Sequence, residues 1–313
     1  MRKYVLYFII LSFYSLNIEA ANINWINTLC VVKESSKKTA NIGYKDMKVY
    51  YQAHRGGLRE VPENTLPTFI YAWKLGGLPE ADIRTTKDGV IICLHDKTLA
   101  RTTDAPASIE DINVLELTFE EIRKCDAGAY FGEEYAGQKV PALTEVFEQL
   151  KTNPEYQMYL DLKDVDLKKL GNLIKDYNVG KQIIFAHNKQ ENLITFQNIA
   201  PEVRTMLWIG GEPDEIKAKY EAARQSGYKG LNQVQLHLHN IETRDKIKYY
   251  IEDDYLKKVL AQMNKAGLDL EVLPFEFDEE SLSNLLNIGI CWYATDYPKR
   301  FLSVVDKWRS SGK

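Results

Sequence analysis

The sequence predicts an α/β chain folded as a (β/α)8 barrel, with a β-hairpin extension and a long insertion after it. Three observations lead there. Eight short runs rich in β-branched and aromatic residues alternate with segments of helical period. Most runs are joined by helix-length crossovers, the connection that parallel strands require. Eight is also the number that closes such a sheet into a barrel. The 313 residues, 45% hydrophobic and 27% charged, are the mixture of a globular protein able to bury one large core.

In chain order the strand runs are "KVYYQAH" (48–54), "PEADIR" (79–84), "YQMYLDLK" (156–163), "QIIFAH" (182–187), "VRTMLWI" (203–209), "QVQLHLH" (233–239), "LDLEVLPF" (268–275) and "ICWYATD" (290–296). The helical segments include "LPTFIYAWKLGG", "VDLKKLGNLIKDY", "NKQENLITFQNIA", "DEIKAKYEAARQSG", "LKKVLAQMNKAG" and "EESLSNLLNIG". One segment breaks the alternation. In "TTKDGVIICLHD" (85–96) the link is too short for a parallel crossover, so it closes an antiparallel hairpin. A two-residue turn at Lys87-Asp88 pairs His95 with Glu80, and one at Asp88-Gly89 pairs it with Asp82. Residues 97–142 then form an excursion long enough to be a lid, an insertion or a binding loop. Its Tyr130, Phe131 and Tyr135 either roof the site or pack the excursion on itself.

The first residues read differently. Arg2 and Lys3 precede the apolar "YVLYFIILSFYSL", and Ile18-Glu19-Ala20 precede Ala21, the order of a secretory signal peptide. Residues 1–20 are therefore expected to be a leader, 21–46 a polar N-terminal extension and 47–313 the barrel domain. The protein is expected to be exported, to a periplasm or outside the cell, with no stable membrane span after leader removal. A formal net charge of -4 supplies no basic field for nucleic acid. Four scattered cysteines are too few for a disulfide scaffold, and their spacing does not suggest zinc. Cys93 and Cys291, in strand-like runs, read as buried free thiols.

In such barrels chemistry gathers where strands end, which selects His54, Glu80, Asp82, Asp161, Lys163 and Asp296. Residues two apart on a strand share a face, so Glu80 projects with Asp82, and Asp161 with Lys163. Several carboxylates at a barrel mouth are costly unless a hard divalent ion holds them; salt bridges to Arg55, Arg84 and Lys163 are the alternative. His54 and His95 both fall at strand ends beside this acidic group, where an imidazole pair can divide general-base and general-acid work. Arg55 and Lys163 supply the fixed positive charge that a phosphate needs. The combination points to metal-assisted phosphodiester cleavage.

"HRGGLREVPENT", "EADIRTTKDGVIICLHD", "LDLKD" and "YATDYP" resemble, in order and spacing, the motifs of the glycerophosphodiester phosphodiesterase family, from about Tyr51 to about Arg300. The resemblance implies a TIM-like barrel and hydrolysis of glycerophosphodiesters, small-molecule substrates, to glycerol 3-phosphate and an alcohol. It also implies a bound Ca2+ or Mg2+. It places the catalytic histidines on His54 and His95, the metal carboxylates on Glu80, Asp82 and Asp161, and phosphate contacts on Arg55 and Lys163. Glu63 is the acidic residue of the PENT motif; following Pro62, it also reads as a charge complementing a helix start. Two positions depart from the family pattern. Asp161 is one methylene shorter than the frequent Glu, and Leu273 stands where an indole is often found. His187, His237 and His239 read as core, loop or rim residues. A lysophospholipase D or sphingomyelinase D-like phosphodiesterase is one alternative, against which the hairpin and insertion favour a deacylated substrate. A non-catalytic phospholipid- or glycan-binding barrel is the other, disfavoured because every histidine and carboxylate is present.

Overall fold

A computed structural model describes residues 47–241 and 246–311. The expected leader and extension lie outside these residues. The strands are β1 (Tyr50–Ala53), β2 (Leu78–Thr85), β3 (Ile91–Cys93), β4 (Met158–Asp164), β5 (Ile183–His187), β6 (Arg204–Ile209), β7 (Gln233–Leu238), β8 (Asn240–Ile241), β9 (Lys248–Tyr249), β10 (Asp269–Pro274) and β11 (Trp292–Thr295). The helices are α1 (Leu66–Lys74), α2 (Phe119–Lys124), α3 (Leu143–Thr152), α4 (Leu167–Tyr177), α5 (Gln190–Ile199), α6 (Pro213–Gln225), α7 (Asp253–Ala266), α8 (Glu279–Ile288) and α9 (Pro298–Ser310). Neighbours run β1-β2-β4-β5-β6-β7-β10-β11, all parallel, and β11 pairs back to β1. The predicted eight-stranded barrel is therefore closed.

Alternation along each strand builds two layers. On β7, Val234, Leu236 and Leu238 join the core beneath the helices, whereas Gln233, Gln235 and His237 occupy the alternate face. Leu78, Tyr159, Ile184, Met206 and Trp292 form a separate apolar cluster, contributed by strands around the barrel. Local signals set the helix ends. Asp166 and Asp278 side chains cap α4 and α8, and Gly267 and Gly289 end α7 and α8 in the left-handed conformation.

The hairpin forms as predicted, but in neither expected register. Ile83 pairs with Cys93, Arg84 with Ile92 and Thr85 with Ile91. The turn holds three residues, Lys87-Asp88-Gly89, with Thr86 N–H donating to Val90 O and Gly89 at φ 82°. A left-handed glycine at the end of a three-residue loop is a stable hairpin solution, and it shifts the pairing by one. Leu94 N–H donates to Asp82 O at 2.8 Å, so His95 still returns to the acidic strand.

Residues 97–142 fold against the hairpin around their own core of Ile92, Leu94, Leu99, Val114, Leu117, Ile122 and Val140. Self-packing is thus the first role of this segment. Its tip also docks on the loop after β1, because Tyr130 Oη accepts the Glu63 N–H at 2.9 Å and Tyr135 Oη donates to Glu60 O at 3.4 Å. Cys93 and Cys125 are buried free thiols. Cys291 takes part in a disulfide, which corrects the expectation of a free thiol there; a buried position beside a strand does not prevent such a bond. Among the described residues no helix is long and apolar enough to cross a membrane.

Candidate active site

His54-Arg55-Gly56-Gly57 is the turn by which β1 ends at the barrel rim. Arg55 has φ 51°, a region that a branched side chain enters at a cost, and its N–H donates to Glu80 Oε2 at 2.7 Å. Gly56 follows at φ 87°, where a Cβ would stand 2.2 Å from Thr68 Cγ2. Strain and close packing here hold the backbone against the acidic cluster.

That cluster is Glu80, Asp82 and Asp161, buried, with one carboxylate oxygen from each within 4.8 Å of the others. Parallel register explains the meeting, since Asp82 on β2 lies beside Asp161 on β4. Lys163 Nζ donates to Asp161 Oδ2 at 2.6 Å and stands 3.0 Å from Asp82 Oδ1, yet Asp82 Oδ1 has no properly directed hydrogen bond. Arg55 Nε is also unpaired, 3.5 Å from Asp82 Oδ2. Burial and then the Asp82 charge push Glu80 up to about 8. Burial acts in the same direction on Asp82, but Lys163 and Arg55 outweigh it and hold that carboxyl well below the usual range. Three hard oxygen donors and an orphaned buried carboxylate oxygen suit a calcium- or magnesium-sized ion. Asn64, at φ 56°, donates its Nδ2 to Asp82 Oδ2 at 2.8 Å and accepts the Asp82 N–H at 3.0 Å, so it fixes that carboxylate.

Both rim histidines are held alike. His54 Nδ1 lies 2.6 Å from Asp296 Oδ1, and His95 Nδ1 lies 2.6 Å from Asp96 Oδ1. A carboxylate on Nδ1 fixes the tautomer that leaves Nε2 to the cleft. Their charges are tuned in opposite directions. For His54, burial opposes protonation, but the Asp296 hydrogen bond and the Glu80 charge raise the pKa. For His95, burial joined by Arg55 and Lys163 lowers it against Asp82 and Asp96.

Glu63 does not begin a helix: α1 starts at Leu66, capped by Thr65. Its carboxylate instead accepts from Arg55 Nη1 at 3.1 Å and from Arg101 Nη1 and Nη2 at 2.6 and 2.8 Å. The PENT turn closes on itself before the helix, which removes the dipole explanation for this acid.

An aromatic arc adjoins the cluster through Asp161. Trp208 on β6 donates Nε1–H to Asp161 Oδ1 at 3.0 Å and stacks on His237 at 5.3 Å. His237 meets Phe275 edge-on at 5.3 Å, and Phe275 stacks on His239 at 4.8 Å. Burial, then the His54 charge, takes His237 down to about 3, so this ring is neutral. Leu273 is buried beside His237 in the β7–β10 register and leaves the indole role in the mouth to Trp208. His187 Nδ1 accepts the Lys189 N–H at 2.9 Å, a loop contact.

Every site residue selected from the sequence thus stands at one end of the barrel. Sequence reasoning missed Asn64, Asp96, Arg101 and Trp208, and it marked Asp296 only as a strand end. Asp96 directly follows His95, and Asn64 directly follows Glu63; adjacency to a selected residue was the available signal. Arg101 and Trp208 carried none.

Residues 54–300 match the Glycerophosphoryl diester phosphodiesterase family. A glycerophosphodiester phosphodiesterase of Caldanaerobacter subterraneus subsp. tengcongensis is 29% identical over 270 residues, covering 83% of this chain and 99% of the relative. One of Bacillus subtilis is 30% identical over 210 residues, covering 58% and 69%. Among solved structures, an Oleispira antarctica phosphodiesterase in complex with its product sn-glycerol-3-phosphate superposes with a TM-score of 0.65 at 21% identity, covering 84% of this chain and 99% of that one.

Proposed function

Because this chain belongs to the glycerophosphoryl diester phosphodiesterase family, we propose that it hydrolyses glycerophosphodiesters to sn-glycerol 3-phosphate and an alcohol through two-histidine acid–base catalysis. One observation carries the mechanism: two imidazoles, each backed on Nδ1 by a carboxylate at 2.6 Å, both feel one buried acidic cluster, Glu80 acting on His54 and Asp82 on His95. The activity for which the relatives are named and the product bound to the Oleispira phosphodiesterase support the substrate class.

His95, the ring whose pKa is lowered, accepts the proton of the attacking hydroxyl at Nε2. That hydroxyl is a water, which yields glycerol 3-phosphate directly, or the glycerol 2-OH, which yields a cyclic phosphate that water then opens to glycerol 3-phosphate. His54, the ring whose pKa is raised, gives its Nε2 proton to the departing alkoxide. Arg55 and Lys163 set positive charge beside the phosphate, each anchored by its own carboxylates, so little reorganisation is needed as charge grows on phosphorus. Glu80, Asp82 and Asp161 would hold a divalent ion such as Ca2+ or Mg2+, which when bound would supply Lewis-acid chemistry at the site. The uncharged arc of Trp208, His237 and Phe275 receives the alcohol half of the substrate.

The test is release of glycerol 3-phosphate from a panel of glycerophosphodiesters, with and without a chelator. Activity that chelator abolishes and Ca2+ or Mg2+ restores is expected; chelator-independent turnover rejects the metal assignment. His54→Ala and His95→Ala should each lower turnover on glycerophosphocholine by on the order of 10² to 10⁴ while the fold persists. Near-normal turnover in either variant removes that ring from the mechanism.

A further inference from the structure

We propose that Arg101 is a positioning residue through which the insertion holds both His95 and Arg55 in place. This rests on the reading that those two residues serve the reaction. Arg101 lies in the excursion, five residues after Asp96, and its guanidinium is wedged between two carboxylates. Nε donates to Asp96 Oδ2 at 2.6 Å and Nη2 to Asp96 Oδ1 at 3.1 Å. Nη1 donates to Glu63 Oε2 at 2.6 Å and Nη2 to Glu63 Oε1 at 2.8 Å.

Each carboxylate has a second partner in the site. Asp96 Oδ1 holds His95 Nδ1, and Glu63 Oε1 accepts from Arg55 Nη1. The result is a continuous chain: His95, Asp96, Arg101, Glu63, Arg55. Four of the five guanidinium N–H groups are committed within it, and one positive charge faces two negative ones. Arg101 therefore has little left for a substrate phosphate, and its place is behind the reacting groups. The Arg101 hydrogen bonds, followed by the one to His95, bring Asp96 to about 2, so this carboxylate stays ionised under His95.

Geometry also says why arginine is needed. A planar fork reaches two carboxylates at once, whereas a lysine ammonium meets one well. The insertion core around Leu99 and Val114 brackets Arg101 on both sides in sequence, so the folded state of the excursion is what presents the fork.

The experiment compares Arg101→Gln and Arg101→Lys with wild type on glycerophosphocholine. It follows kcat, KM, melting temperature and the His95 ring titration by NMR. Expected for Arg101→Gln is a loss in kcat/KM on the order of 10- to 100-fold, the range typical of residues that orient a site from behind. The groups facing His95 are Asp82, Arg55, Lys163 and Asp96. Losing the cation that shares Asp96 leaves that carboxylate freer to favour imidazolium, so the His95 titration should move to higher pH. Arg101→Lys should restore the melting temperature but only part of kcat. Wild-type kcat, KM and His95 titration in a folded Arg101→Gln overturn the proposal. Should that variant unfold, a wild-type kcat in Arg101→Lys overturns it instead. An inactive wild type would instead strike the functional reading, which keeps the two failures apart.

Discussion

At His54 burial is the largest single influence, but Asp296 and Glu80 together outweigh it, whereas at His95 burial prevails with help from Arg55 and Lys163. Two rings of one type, each on a carboxylate at the same distance, are thus shifted in opposite directions because of what else faces them. The difference can be tested without touching either ring. Asp296→Asn removes the largest contribution favouring imidazolium at His54, so the pKa of that ring should fall. Since the proposed acid must carry its proton, the high-pH limb of the rate profile should move to lower pH, with kcat at pH 8 reduced at least about tenfold. A profile superimposable on wild type rejects the acid role of His54. Both histidines and the three carboxylates were legible in the sequence, because ionisable groups at strand ends are conspicuous. Their partners were less so, since nothing in a linear pattern says which carboxylate a histidine will meet 242 positions away.

Among the elements, the hairpin and the excursion behind it act as one unit. Ile92 and Leu94 from the β3 segment belong to the same apolar cluster as Leu99, Val114, Ile122 and Val140. Cys93 N–H also donates to Pro141 O at 3.0 Å, which ties the end of the excursion to its beginning. Ile122 is fully buried on α2. Ile122→Ala should cost about 2 to 5 kcal/mol by transfer and cavity terms, measured by denaturant unfolding. Activity should fall near the unfolding midpoint of the insertion, before the barrel helices melt, because Arg101 and Tyr130 ride on this unit. Coincident loss of activity and barrel helicity, with no earlier phase, shows that the excursion has no separate stability. The existence of the hairpin followed from the shortness of its link, but its register did not. A three-residue loop and a two-residue loop differ by backbone dihedrals at Gly89 that composition leaves open.

For the whole molecule, closure of the barrel places polar side chains from distant strands in one buried interior. Glu271 is buried, accepting from Tyr159 Oη at 2.7 Å, Gln233 Nε2 at 2.6 Å and Gln235 Nε2 at 2.5 Å. Burial pushes it up to about 8. An acid that keeps its proton in the folded state but loses it when unfolded, near pH 4 to 5, makes stability fall as pH rises from there to about 8. Glu271→Gln removes that dependence. Its melting temperature relative to wild type should therefore rise between pH 5 and pH 8, as followed by calorimetry. A constant difference across that range means that Glu271 is ionised in the fold, stabilised by its three donors.

The sequence alone determined the eight barrel strands, the helical crossovers, the existence of the hairpin and which ionisable residues stand at strand ends. All of these are local properties: period-two and period-3.6 patterning, turn residues, and the charge and softness of single side chains. Only the tertiary structure decided the partners. Asp296 reaches His54 because β11 closes against β1, Trp208 reaches Asp161 across the mouth, and Arg101 reaches Glu63 because the insertion folds back on the loop after β1. Such pairings depend on barrel closure and on long-range packing, in which residues far apart in the chain become neighbours. They set the charge of each group through burial and Coulomb interaction, quantities that have no value until the chain is folded.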